Sequence, residues 1–194
     1  MSEWVESEHR PFGWFSDEEG AFYKETVTPY PGGVLVELGS YLGRSLSFVL
    51  QTCRDLGIEV YAVDRWVPLG EVFVKFGFPP GTLDLFRANL NRLGFTNDVH
   101  VVQSDSVRGA AQFKAESIDV IMLDTLHTYE QTKQEIEAWL PKLKSGGSFL
   151  FHDYTDHPQP HPEYGMIWDV DRAIQETLRH VDRRVHSMVL VKKK

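Results

Sequence analysis

Short, nearly unbroken apolar runs fall at 34–38, 59–63, 99–103, 118–123 and 148–152, with the length and branched-residue content of buried strands. Between them, apolar positions return at three- and four-residue spacing over 43–56, 82–93, 128–143 and 167–180, which predicts helices with one buried face. Strands that alternate with helices imply a parallel sheet covered on both faces and joined by right-handed crossovers. A further run within 184–192 predicts at least one more strand, with room only for a short hairpin or a missing edge strand. The expected fold class is α/β: a single doubly wound, mostly parallel sheet. One domain is expected over 1–194, with 1–31 as an N-terminal cap or lid and 32–194 as the core.

The turn after the first run carries the first chemical signal. In Val34-Leu-Val-Glu-Leu-Gly-Ser-Tyr-Leu-Gly-Arg-Ser45, Gly39 and Gly43 permit a sharp strand-to-helix turn, and Glu37 places a carboxylate beside it. A dinucleotide loop wants G-x-G-x-x-G, and Glu37 would oppose its pyrophosphate; a triphosphate loop wants G-x-x-x-x-G-K-[ST], and here the glycines are too close and Arg44 replaces the lysine. A ligand with an ammonium and a sulfonium suits the carboxylate better. The second run ends in Asp64, placed to accept from both hydroxyls of a ribose in an open α/β sheet; a surface or helix-capping aspartate is the plainer alternative.

Taken in order, Glu37-Leu-Gly-Ser-Tyr-Leu-Gly43, Asp64, Gln103-Ser-Asp-Ser106, Asp119-Val-Ile-Met-Leu-Asp-Thr-Leu-His-Thr-Tyr129 and Leu143-Lys-Ser-Gly-Gly-Ser-Phe-Leu-Phe-His-Asp-Tyr154 resemble the successive motifs of class I S-adenosylmethionine-dependent methyltransferases. The D-x-x-H-x-Y and G-G-…-H-D-Y segments resemble the macrocin O-methyltransferase-like branch, which acts on small molecules. The resemblance covers about residues 32–191. It implies S-adenosyl-L-methionine as cofactor, bound by Glu37, Gly39, Ser40, Gly43, Ser45, Asp64, Asp105, Ser106 and Asp124, and methyl transfer to a hydroxyl of a natural-product-like acceptor. An NAD-dependent oxidoreductase and a non-catalytic cofactor-binding protein are the rival readings.

Composition limits the partners. The chain is 42% hydrophobic, enough for one substantial core, and its net charge of -8 argues against a nucleic-acid backbone. No secretory or membrane-spanning segment is visible, and Glu3, Glu6 and Glu8 occupy the place of a basic leader, so a cytoplasmic location is expected. The expected partner is a small-molecule acceptor, not nucleic acid or membrane, with a homo-oligomer left open. Cys53, the single cysteine, falls on the apolar face of the first core helix and reads as packing.

Three segments fall outside the alternation: the aromatic N-terminal 30 residues, Trp66 to Gly81, and Thr155 to Trp168 with Pro158, Pro160 and Pro162. The last two leave the carboxyl ends of strands and are expected to pack as lids over a pocket. Asp105 can accept from an adenine amine or cap the helix that follows it, or do both. Gly146-Gly147 reads as a helix end and tight turn.

Methyl transfer from a sulfonium is an in-line displacement, and an acceptor alcohol must lose its proton. Asp124, His127 and His152 are the candidate catalytic residues. In a metal-assisted route Asp124 and Asp153 bind Mg²⁺ or another divalent ion; in a metal-free one His127 or His152 is the base, oriented by an aspartate. Tyr154 stands where related metal-dependent enzymes often have Asp or Asn, which speaks against a hard-cation site; Asp156, His157 or water could complete the sphere. Strand alternation sends His152 and Asp153 to opposite faces, so only one is expected in the site.

Overall fold

In the computed structural model, which describes residues 9–67 and 80–194, strand β1 (Val34–Leu38) is buried beyond its first residue. It pairs in parallel with β2 (Glu59–Asp64) on one side and β4 (Ile118–Leu123) on the other. β3 (Val99–Gln103) continues past β2, and β5 (Leu143–Phe151) past β4, both parallel. The hairpin β8 (Arg183–Val185) and β9 (Met188–Lys192) closes the far edge, β9 antiparallel to β5. The seven-stranded order is β3-β2-β1-β4-β5-β9-β8, and it reverses between β1 and β4. A crevice opens outside the carboxyl ends of strands at such a reversal.

Helices α1 (Asp17–Val27), α2 (Arg44–Leu56) and α3 (Thr82–Leu93) cover one face, around Phe22, Tyr23, Leu46, Leu50 and Phe86. Helices α5 (Tyr129–Trp139) and α6 (Val170–Thr177) cover the other, around Ile121, Trp139, Phe149 and Ile174, with the single turn α4 (Ser106–Gly109) beside α5. Cys53 is buried on the inner side of α2. Among the described residues no helix is long and apolar enough to cross a membrane.

Three expectations from periodicity are corrected. The helix expected over 128–143 ends at Trp139, because Pro141 cannot continue it. Gly146 and Gly147 do not end a helix; they lie within β5, whose pairing with β4 jumps from Ile118–Leu143 to Val120–Ser148. Gly146 has φ +75°, and its amide donates to the Lys193 carbonyl across the bulge. The helix expected from 167 starts at Val170, since Met166–Trp168 (β7) pairs with Gln159–His161 (β6) in a separate hairpin. The proline-rich segment therefore has structure of its own. Of the segment from Trp66 to Gly81, residues 68–79 lie outside the described residues.

Candidate active site

The carboxyl ends of the central strands enclose a cavity of about 420 Å³, within the usual size of a small-molecule site. Backbone strain gathers around it: Tyr41, Trp66, His127 and Asp153, in the turns after β1, β2, β4 and β5, all have positive φ between 46° and 59°. Gly39 explains how the walls come together. A Cβ there would lie 1.8 Å from the Asp124 carbonyl oxygen, so glycine lets the turns after β1 and β4 touch.

On one side, Asp64 accepts from the Tyr41 amide at 2.9 Å and the Trp66 amide at 2.7 Å, which aims its carboxylate along the cavity wall. Asp105 caps α4, accepting from the amides of Val107 and Arg108, and also faces the cavity; capping and lining thus coexist. Ser40 and Ser45 line the wall, while Glu37 is fully buried behind them. Ser45 Oγ donates to Glu37 Oε1 at 3.0 Å. Glu37 Oε2, Ser40 Oγ and the Tyr23 hydroxyl are buried without a complete hydrogen bond. Burial pushes the Glu37 carboxyl up to about 8. A carboxyl raised to about 8 behind two serines is mostly protonated near neutral pH, so it braces the cavity wall without presenting a charge there.

Across the cavity, two carboxylates and two imidazoles meet. His127 Nε2 lies 3.3 Å from Asp153 Oδ2 and 3.6 Å from Asp124 Oδ1. His152 Nδ1 lies 3.0 Å and 3.6 Å from the same two oxygens. Only Asp153 of the pair lines the cavity, as expected, but the two side chains do not point apart, because β5 ends at Phe151 and Asp153 takes φ +54°, turning its side chain back toward His152. Asp124, His127 and Asp153 line the cavity, whereas His152 sits behind them, 3% exposed. Burial raises the Asp124 pKa; in Asp153 the two imidazoles overcome burial and hold it down to about 2. Burial opposes charge on His152, but Asp124, Asp153 and Glu19 keep its pKa well above the ordinary imidazole value.

Two supporting residues carried no sequence signal for a place beside the site. Glu19, on α1, accepts from Ser16 and Ser187 and approaches His152 Nε2 to 3.4 Å. Glu135, buried inside α5, accepts from Ser106 Oγ, from Gln131 Nε2 at 2.9 Å and from Thr125 Oγ1 at 2.8 Å, tying α4 and the turn after β4 to α5. Burial raises its carboxyl to about 7. The S-x-x-E spacing from Ser16 to Glu19 marks only a helix start and says nothing of the contact with His152. Glu135 reads as an ordinary polar helix position.

Parts of two of the segments outside the alternation line the cavity. Gly13, Trp14 and Phe15 form one wall, and α1 behind them packs into the first core through Phe22, Tyr23 and Val27. On the β6–β7 hairpin, His161 stacks on Trp168 at 3.7 Å, and Trp168 meets the His127 ring at 4.6 Å. His161 also lines the cavity. Asp156 pairs with Arg184 at 2.8 Å, outside the carboxylate cluster, and Tyr154 accepts from Gln175 Nε2 within the second core. Gly43, φ +85°, starts α2 and packs near Phe86 without lining the cavity.

These buried groups set an unusual pH dependence of stability. A carboxyl whose pKa rises on folding binds protons more tightly when folded, so stability falls as pH rises from its ordinary 4.5 toward its folded value. Glu37 and Glu135 act this way up to about 8 and about 7, and the raised His152 adds a loss at higher pH. Asp153 and Glu19, both lowered, lose stability only on acidification below the ordinary carboxylate range. In chelator, the protein is expected to melt on the order of 5 °C higher at pH 5 than at pH 8. A calorimetric profile flat or rising over that interval would contradict the burial of these acids.

A doubly wound, mostly parallel seven-stranded sheet with a cavity at its switch point is the Rossmann-like arrangement of class I methyltransferases. Residues 36–154 match the family Methyltransf_24, described as a methyltransferase domain; the chain belongs to this family. An uncharacterized protein of Sinorhizobium fredii, y4gI, is 27% identical over 121 residues, which is 61% of this chain and 13% of that protein's length. Among solved structures, the O-methyltransferase NovP superposes with a TM-score of 0.63 at 15% identity, covering 91% of this chain and 80% of NovP. Geranyl diphosphate C-methyltransferase of Streptomyces coelicolor A3(2), solved with Mg²⁺, geranyl diphosphate and S-adenosyl-L-homocysteine, gives a TM-score of 0.58 at 14% identity, covering 81% of this chain and 58% of that one. At these identities the two structures share a fold.

Proposed function

We propose that this chain transfers the methyl group of S-adenosylmethionine to a hydroxyl of a small-molecule acceptor, as in the macrocin O-methyltransferase-like branch. The observation that carries the reading is one cavity with a ribose- and amine-suited wall on Asp64, Ser40 and Ser45 and a proton-accepting cluster on Asp124, His127 and Asp153 opposite. The acceptor oxygen attacks the methyl carbon as the carbon–sulfur bond breaks, and S-adenosylhomocysteine leaves. The hydroxyl proton passes to the Asp124 carboxylate, which lines the cavity, while His127 Nε2, 3.6 Å from Asp124 and 3.3 Å from Asp153, directs its N–H between the two and balances their charge. The Trp168 and Phe15 walls exclude water and align the acceptor, which supplies much of the acceleration. Asp124 and Asp153 also suit a divalent cation, which when bound would lower the acceptor's pKa.

Incubation with methyl-labelled cofactor and a panel of hydroxylated acceptors tests the reading. Label is expected on oxygen; label on nitrogen or carbon alone would overturn it. S-adenosylhomocysteine at about 100 times its dissociation constant should add about 2.7 kcal/mol of stability. Stabilisation by NAD instead would favour the oxidoreductase.

A further inference from the structure

We propose that His152 Nδ1 is the third protein ligand of the cation site formed by Asp124 and Asp153, and that this two-carboxylate, one-imidazole set selects Mn²⁺ or another first-row transition ion over Mg²⁺. The inference rests on the methyltransferase reading above and concerns residues of this chain that the reading leaves without a role.

The geometry suits a shared ion. One ligand atom from each of Asp124, His152 and Asp153 lies within 4.8 Å of the others. His152 Nδ1 is 3.0 Å from Asp153 Oδ2 and 3.6 Å from Asp124 Oδ1. Ligands held at ~2.1 Å from an ion, at right angles to one another, are themselves about 3 Å apart. A third carboxylate or amide after Asp153 is absent, because Tyr154 occupies that place and is turned into the second core. The imidazole comes instead from the residue before Asp153, brought to the same point by the positive φ that ends the strand.

His152 is also held as a metal-ligating imidazole is held. Its far nitrogen, Nε2, faces Glu19 Oε2 at 3.4 Å and Ser187 Oγ at 3.5 Å, and Phe15 stacks on its ring at 5.0 Å. A carboxylate on the outer nitrogen fixes the tautomer and ring orientation of a ligating histidine and increases its basicity. Glu19 is itself immobilised by Ser16 on one oxygen and Ser187 on the other. It is therefore a positioning residue, through which α1 and the wall it carries are tied to the reaction centre. Mg²⁺ favours oxygen ligands and retained waters, whereas an imidazole in the set favours transition ions.

The test measures binding directly. Metal-free protein, uniformly labelled with ¹⁵N-histidine, is titrated with Mn²⁺ and followed by electron paramagnetic resonance, with Mg²⁺ as competitor and spin-echo modulation reporting coordinated nitrogen. One saturable Mn²⁺ site is expected, displaced only by a large excess of Mg²⁺. Nitrogen modulation should vanish in His152→Ala and survive in His127→Ala. Glu19→Gln should weaken Mn²⁺ binding by about 10–100-fold, while Glu25→Gln, which breaks only the exposed pair of α1 with Arg183, should leave it unchanged. Equal Mg²⁺ and Mn²⁺ affinity, no nitrogen coupling, coupling that persists in His152→Ala, or equal losses in Glu19→Gln and Glu25→Gln would each overturn the proposal. Calorimetry with S-adenosylhomocysteine on the same metal-free protein separates the two readings: if it binds and Mn²⁺ does not, only the cation assignment falls; if neither binds, the methyltransferase reading falls too.

Discussion

Replacing Gly39 by alanine is expected to destabilise the protein by about 4 kcal/mol or more, or to prevent folding. Two causes add. The position has φ +87°, and the new Cβ would lie 1.8 Å from the Asp124 carbonyl oxygen and 2.7 Å from its carbon. Both obstacles are backbone, fixed by the pairing of β1 with β4, so no side chain can turn aside to make room. Gly57→Ala is the matched comparison. Gly57 also has positive φ, +66°, but nothing lies within 4 Å of its added Cβ. It should cost only the conformational strain, about 1–2 kcal/mol. Denaturant unfolding of the two variants decides the matter: equal losses would mean that the strand ends do not approach as described. Should Gly39→Ala fold at all, its affinity for S-adenosylhomocysteine should fall, because the same contact shapes the cavity.

Replacing Asp124 by asparagine should leave the fold nearly intact and remove most of the activity. Asp124 lines the cavity at a strand end, its pKa is raised by burial, and its carboxylate lies within 3.6 Å of both His127 Nε2 and His152 Nδ1. Asparagine keeps the shape but removes the charge that orients both rings, and a lost general-base arrangement costs about 10²–10⁴ in rate. The measurement is single-turnover methyl transfer with an acceptor identified by the labelled-cofactor screen, beside a melting curve. Asp119→Asn provides the contrast, since that carboxylate pairs with Lys144 and the Val34 amide at the opposite end of the sheet. It should lower stability more than rate. An Asp124→Asn protein within about threefold of the parent rate would remove this residue from the mechanism.

The alternation of strands and helices, the acid-tipped second strand and the glycine turn were legible because each depends on local periodicity and on the residue types a backbone conformation allows. Val34–Leu38 and Ile118–Leu123 occupy the positions their apolar runs predict, because strands buried on both faces are written as such runs. Asp64, Asp105 and Asp124 were recognised because a strand end on this topology delivers a side chain to the crevice whatever the rest of the chain does. Tertiary structure alone decided the rest. Glu37 withdrew behind Ser40 and Ser45, although its place in the motif suggested direct contact. Glu19 reached His152 across more than a hundred residues, and Glu135 joined two elements from inside a helix whose period marks it only as polar. His152 and Asp153, sent apart by strand alternation, met because the strand stopped one residue earlier and Asp153 adopted a left-handed backbone. Periodicity describes how a segment presents its faces, while the meeting of two charged groups depends on where the chain leaves its regular geometry and on which distant segment packs against it.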